Sequence, residues 1–314
     1  MTDFPFGALV LPEPEAAEAW HGWRDALDID ALPYESQQLL PTLAGRLPRW
    51  LEQDACAARL QGIVKMVWSR NQVRLRRAAE LRQLLLQEAM APSVIVGPLA
   101  WSIVTREEGA IRFIPYLSSL IARDRLSKSS STLAGAGWEL NGELPRGEAL
   151  DWSTHVSFAK GDDVLHLHWR LFPAPPGEAI ACERAFLERT RMVTGNSHSF
   201  VGMSAAADLV QRLANRPHWD PLPWQADVLM MPFDQVDWDE FRMLAHRFTP
   251  ALESADVVGR LMELRRDWQL PVPEIAPARR LPSSQHRQNG FVSRARVIQF
   301  FRKVSARGRM LWKS

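Results

Sequence analysis

Apolar residues recur at three- and four-residue steps from Leu60 through Ile63, Val64, Val67, Leu75, Ala78, Leu81 and Leu85. This spacing predicts one long amphipathic helix over residues 54–90, with Arg70, Arg74, Arg76, Arg77 and Arg82 on its solvated face. Before it, residues 1–34 are rich in proline and tryptophan and read as an irregular lead with a short helix from Ala16 to Ala26. Residues 36–51 are helical in pattern but interrupted at Pro41 and Pro48. After it the pattern changes. The apolar run Val94-Ile95-Val96 meets a turn at Gly97-Pro98, an apolar helix follows from Leu99 to Val104, and a polar turn at Arg106–Gly109 leads into a second apolar strand from Ile111 to Ile121.

The Ser/Thr-rich stretch Ser127–Thr132, followed by Gly135-Ala136-Gly137, reads as a surface loop. Residues 154–172 read as a hairpin turning at Lys160-Gly161-Asp162-Asp163. Helices are expected from Glu178 to Arg191, from Ser204 to Leu213 with Ser204 as N-cap, and over 224–232, 237–248 and 253–268, with Asp237 capping the second of these three. Residues 271–290 form a Pro-rich polar linker, and 291–312 a basic amphipathic helix. The chain therefore divides into an N-terminal helical segment (1–90), a sheet core (91–175), a C-terminal helical region (176–273) and a linker with its basic tail (274–314). The fold class is α+β, a small mixed sheet flanked by helices.

With 314 residues, 46% hydrophobic and 24% charged, the composition is that of a soluble globular protein. Its apolar runs are too short for a transmembrane helix, and Met1-Thr2-Asp3-Phe4 does not begin a secretory signal. Cys56 and Cys182 give neither a disulfide framework nor a metal cluster, so a cytoplasmic location is expected. The net charge of +2 conceals an asymmetry: from Ile275 onward there are ten Lys/Arg and no acids, which leaves the preceding residues with 28 basic and 36 acidic side chains, a net of −8. In the tail, Phe291, Ala295, Ile298, Phe301, Val304 and Leu311 fall at helical spacing among Arg294, Arg296, Arg302, Lys303, Arg307 and Arg309. Such a helix suits an acidic protein surface or an anionic membrane, and nucleic acid less well.

Among the candidate chemical groups, His166 and His168 alternate on one strand of the hairpin and share a face, and His155 lies on the partner strand. Three imidazoles would suit Zn²⁺; the alternative is histidines satisfied internally or facing a substrate. Gly97 at a strand–helix turn can bring backbone amides to a phosphate, although Pro98 removes one donor. Arg112 is either an anion contact or a surface arginine.

Several pieces in order resemble a family of uncharacterised bacterial nucleotidyltransferases encoded beside polysaccharide or peptide-modification enzymes. They are Leu39-Leu40-Pro41 with Leu43, Trp68-Ser69-Arg70-Asn71-Gln72 within Gly62–Leu86, the Gly97 turn, Arg112, His155, Leu167-His168-Trp169-Arg170-Leu171, Leu222-Pro223-Trp224-Gln225-Ala226-Asp227-Val228, and Val236-Asp237-Trp238 followed by Ala245. The likeness runs over residues 36–273. It implies a nucleotidyltransferase-like sheet, with Gly97, Arg112, His155, His168 and Arg170 as ligand-binding positions.

The resemblance also locates what is missing. The family carries Lys-Gly at the first turn, where this chain has Val96-Gly97. It carries Asp-x-Asp on the second strand, where Tyr116 and Ser118 stand, and often an acid two residues before the hairpin histidine, where His166 stands. Nucleotidyl transfer needs charge neutralisation by metal ions, and Mg²⁺ wants carboxylate oxygens. Asp124, Asp162 and Asp163 are the nearest substitutes in the sequence. The expectation is a degenerate transferase that binds a small-molecule or nucleotide ligand, or a protein partner, as an accessory to a biosynthetic cluster. It would need no cofactor. The alternative is an active transferase to a saccharide or peptide hydroxyl, which would use Mg²⁺ and a nucleoside triphosphate.

Overall fold

The computed structural model describes residues 5–24, 28–46, 54–107, 111–171, 176–195, 197–214, 222–248 and 257–270. These all lie in one compact unit, Met1–Ala276. The expected linker and basic tail helix fall outside the described residues. Among the described residues four helices come first: α1 (Phe6–Val10), α2 (Glu13–Arg24), α3 (Tyr34–Gln37) and α4 (Leu40–Arg46). Then come the long α5 (Ala57–Glu88), β1 (Val94–Ile95), α6 (Gly97–Glu107), β2 (Leu117–Leu120), α7 (Leu126–Gly135), β3 (Glu139–Asn141) and α8 (Ala149–Trp152). The hairpin β4 (His155–Lys160) and β5 (Asp163–His168) is followed by α9 (Pro176–Leu187) and a second hairpin, β6 (Thr190–Gly195) and β7 (His198–Met203). Four helices close the described chain: α10 (Ala205–Ala214), α11 (Leu222–Leu229), α12 (Trp238–Phe248) and α13 (Val257–Asp267).

The strands form one mixed seven-stranded sheet in the order β3-β4-β5-β2-β1-β7-β6. β2 runs parallel to β5 and β1 parallel to β7; the remaining pairs are antiparallel. Because side chains alternate across a strand, the sheet divides two hydrophobic cores. Val94, Val96, Leu120 and Met203 face a core built with the N-terminal helices and α10–α13, where Phe6, Leu9, Trp20, Leu209, Val210 and Phe241 are buried. Ile95, Leu117, Ile121, Phe158, Leu165, Leu167 and Phe200 face the other, which α5, α6 and α7 cover. The Pro- and Trp-rich lead is thus packed structure, with Trp20 fully buried and its indole donating to Asp54.

The expected α+β architecture and first hairpin are present, with Gly161 in the left-handed region at the turn. Both expected caps form: Ser204 Oγ accepts from the Ala207 amide, and Asp237 Oδ1 accepts from the amides of Asp239 and Glu240. Three details differ. The apolar stretch from Ile111 is a strand only over Leu117–Leu120. Ahead of it, side chains replace the ladder: Thr42 donates to the Ile111 carbonyl, Asn71 donates to the Arg112 carbonyl and accepts from the Ile114 amide, and Arg74 donates to the Ile114 carbonyl. The stretch Ser127–Thr132, expected as loop, lies within the helix Leu126–Gly135, because Leu126, Ser129 and Leu133 place one stripe against the core. Composition suggested a loop, but burial of that stripe outweighs it. The helix expected to reach Arg191 stops at Leu187, and the β6–β7 hairpin that follows adds two strands beyond residue 175 to the sheet.

Candidate functional site

On the face that carries Val94, Val96 and Leu120, the β2–β5–β4 half is polar. Parallel pairing sets Ser118 beside His166, and antiparallel pairing sets His155 beside His168 and Ser157 beside His166. Tyr116, two residues before Ser118, lies on the same face. Its ring stacks on His166 with centroids 4.3 Å apart and planes 23° from parallel. His166 stacks in turn on His155 at 4.9 Å and 27°, and His168 lies 4.9 Å from His155. His155, which touches both of the other imidazoles, is exposed, and its Nδ1 is 3.1 Å from the Thr154 hydroxyl.

The surroundings disfavour the charged form of all three imidazoles. Packing against the neighbouring rings desolvates part of His155 and lowers its pKa, although the residue keeps an exposed surface; burial and then the neighbouring His155 bring His166 down to about 3. His168 lies well below the ordinary range, chiefly through burial, with His155 and His166 adding to it and the Arg170 backbone opposing it. Burial likewise pushes the Tyr116 phenol up. Two buried polar atoms on this face, Ser118 Oγ and His168 Nδ1, have no hydrogen-bond partner. Gly97, at φ +61°, turns the chain into α6 beside Ser118: a Cβ there would stand 3.7 Å from Ser118 Oγ.

The structure gathers Gly97, Tyr116, Ser118, His155, His166 and His168 and takes both arginines inward. Arg112 is buried against Asp227 in a bidentate pair, Nε to Oδ1 at 2.7 Å and Nη2 to Oδ2 at 3.1 Å. Burial opposes its charge, but the Asp227 carboxylate more than offsets this and raises its pKa. Arg170 is fully buried: it donates twice to Glu183 Oε1, at 3.1 and 3.0 Å, and once to the Asp151 carbonyl at 2.6 Å. Burial pushes the Glu183 carboxyl up against the pull of Arg170. A third ion pair, Arg123 to Asp151 at 2.7 Å, lies at the same end of the sheet. None of these partners was legible beforehand. Nor was the buried set next to Arg112, in which Asp208 binds Arg212 at 2.6 Å and accepts from the Trp101 indole at 2.9 Å. Only the i,i+4 spacing of Asp208 and Arg212 signals it in the sequence.

The donor set does not fit Mg²⁺, which takes anionic oxygens. Asp227 is committed to Arg112, Asp163 to Arg77 at the hairpin turn, and Asp124 is an exposed residue beside Arg125. The imidazoles are the donor type for Zn²⁺, yet the rings of His155 and His166 lie face to face. Among the described residues no group of three or more His, Cys, Asp or Glu is arranged to hold a metal ion. Among those residues, too, no helix is long and apolar enough to cross a membrane.

Fold and face together define an α+β protein with a neutral, ring-lined polar patch on a mixed sheet. No protein-family model and no curated protein matches the chain. Among solved structures, it is similar to the antibiotic-resistance factor ANT(2″)-Ia in solution, with a TM-score of 0.33 and 14% identity over 61% of this chain and 90% of that one. It is also similar to crystalline ANT(2″)-Ia in complex with adenylyl-2″-tobramycin, with a TM-score of 0.34 and 16% identity over 63% of this chain and 98% of that one.

Proposed function

We propose that the chain is a nucleotidyltransferase-like protein that binds a ligand on the Tyr116–Ser118–His166 face and transfers no nucleotide, serving as an accessory to a biosynthetic activity. One observation carries this reading. The three positions that the sequence resemblance equates with metal-binding carboxylates meet in space, with Ser118 beside His166 and Tyr116 stacked on it, and all three side chains are uncharged. A phosphoryl centre in transfer spreads negative charge over its oxygens and needs cations within a few ångströms. Here Arg112 and Arg170 are already matched by carboxylates, and burial disfavours charge on the imidazoles. Gly97 still allows close approach of a ligand to the sheet at the start of α6.

Incubating the full chain with each nucleoside triphosphate and Mg²⁺ or Mn²⁺ tests the reading. No pyrophosphate is expected above the protein-free rate. Release above that rate would establish the alternative, an active transferase to a saccharide or peptide hydroxyl whose metal-binding carboxylates come from other positions of the chain.

A further inference from the structure

We propose that the outer edge of β6 pairs with the same edge of a second copy of the chain, joining the two sheets antiparallel across a twofold axis at Met192. β6 ends the sheet on one side and β3 on the other. An edge strand leaves a row of backbone amides and carbonyls unpaired, and soluble proteins blunt such edges with short strands, charges, prolines or bulges. β3 follows that rule: it is three residues long, and Glu139 and Asn141 are exposed. β6 does not. It runs for six residues in unbroken register with β7 and carries no proline, lysine or acid.

The register shows which groups are left over. β6 pairs with β7 residue for residue, from Thr190 with Met203 to Gly195 with His198. One residue ahead of the strand, the Ser204 amide donates to the Arg189 carbonyl at 2.8 Å. Antiparallel strands bond through every second residue. Arg191, Val193 and Gly195 therefore share the bonds with β7, while Thr190, Met192 and Thr194 turn their amides and carbonyls outward. The side chains of the same three residues lie on one face, and all are exposed, Met192 by 62%. On the other face Val193 and Gly195 are buried.

The outward set is symmetric about Met192. When a second β6 approaches antiparallel with Met192 opposite Met192, each Thr190 meets the other copy's Thr194. Every outward amide and carbonyl then finds a partner, about six hydrogen bonds in all. A shift by one residue would set outward groups against groups already bonded to β7. The side chains agree with this register. Two methionines meet at the axis with a Thr–Thr pair on either side, and such cross-strand pairs are favourable. The strand's one charged residue, Arg191, falls opposite Val193 and is drawn to its own chain, donating from Nη1 to Gln235 Oε1 at 2.7 Å. A twofold contact uses one patch twice, so the patch must complement itself, and this one does. β1 and β7 separate β6 from β2, so the contact leaves the Tyr116–Ser118–His166 face clear.

Sedimentation velocity on the full chain between about 1 and 200 µM tests this. A monomer–dimer equilibrium with a micromolar Kd is expected, since a contact one strand wide is at the small end of specific interfaces. Met192→Lys sets two ammonium groups against each other at the axis and should raise that Kd at least about tenfold. Met192 is exposed, so this variant should fold with a Tm within about 2 °C of the parent. Met192→Cys should form a covalent dimer under mild oxidation, because Cα atoms of a bonded pair stand about 5.5 Å apart, within disulfide reach. The parent, which keeps Cys56 and Cys182, and Glu139→Cys on the opposite edge should not. A chain that stays monomeric at the top of the concentration range overturns the proposal and leaves the edge to a strand of another protein. A dimer that Met192→Lys does not weaken, or oxidation that links residue 192 no faster than residue 139, also overturns it.

Discussion

Three imidazoles within stacking distance and no carboxylate among the groups shifting them make the histidine face acid-sensitive. In the unfolded chain each histidine titrates near ~6.5, while folded His166 does so at about 3. Between those values the unfolded chain binds protons that the folded chain refuses. The histidine contribution is therefore neutral above the unfolded pKa, and stability declines as pH falls through the window below it. At pH 5 His166 alone should cost about 2 kcal/mol. Melting curves from pH 7 to 5 should show a falling Tm, and His166→Gln should flatten that slope; equal slopes in parent and variant would contradict the burial argument. Arg112 belongs to the same scale. Arg112→Ala leaves Asp227 charged and buried, at a cost of about 3–5 kcal/mol by urea titration, whereas Arg112→Met with Asp227→Leu should recover most of the loss.

Among the elements, α5 serves as more than a cover for the sheet. Asn71 and Arg74 supply hydrogen bonds that a strand would otherwise give to residues 112–114, which fixes where β2 begins and therefore where Tyr116 and Ser118 point. The β6–β7 hairpin is seated by a small residue: a Cβ on Gly195 would stand 2.9 Å from Ile103 Cγ1 and 3.5 Å from Leu75 Cδ2. Gly195→Ala should cost about 1–3 kcal/mol through overpacking. In a double-mutant cycle measured by chemical denaturation, that penalty should shrink in an Ile103→Ala background, because the offended atoms are gone. The signal for this hairpin is in the sequence as Gly195-Asn196-Ser197 between Val193-Thr194 and Phe200-Val201. The helix-like run Glu178–Arg191 masked it, and only Leu187 marks where that helix ends.

In the whole molecule, one sheet serves two cores. Neighbouring residues of the central strands, Val94 and Ile95, Leu120 and Ile121, face opposite sides. Neither core can lose its packing without disturbing the strand that holds the other. Trp20→Ala on one side and Trp169→Ala on the other, both fully buried, should each cost about 3–5 kcal/mol and leave a single unfolding transition by calorimetry. Two separated transitions in either variant would mean that the cores melt independently. The histidine face lies at the edge of this arrangement, where the first core gives way to polar side chains on β2, β4 and β5.

Local spacing in the sequence determined the long helix, the first hairpin, both caps and the alternation that places His166 and His168 on one face. Residue chemistry determined that Tyr116, Ser118 and His166 are not carboxylates. Tertiary structure alone decided that Arg112 and Arg170 are buried in ion pairs instead of facing a ligand, because their partners lie 115 and 13 residues away and no periodicity encodes a pairing across such distances. It also decided that Tyr116, His166 and His155 form a stack with His168 beside it, since the register between β2 and β5, strands far apart in the chain, is set by core packing on the opposite face of the sheet.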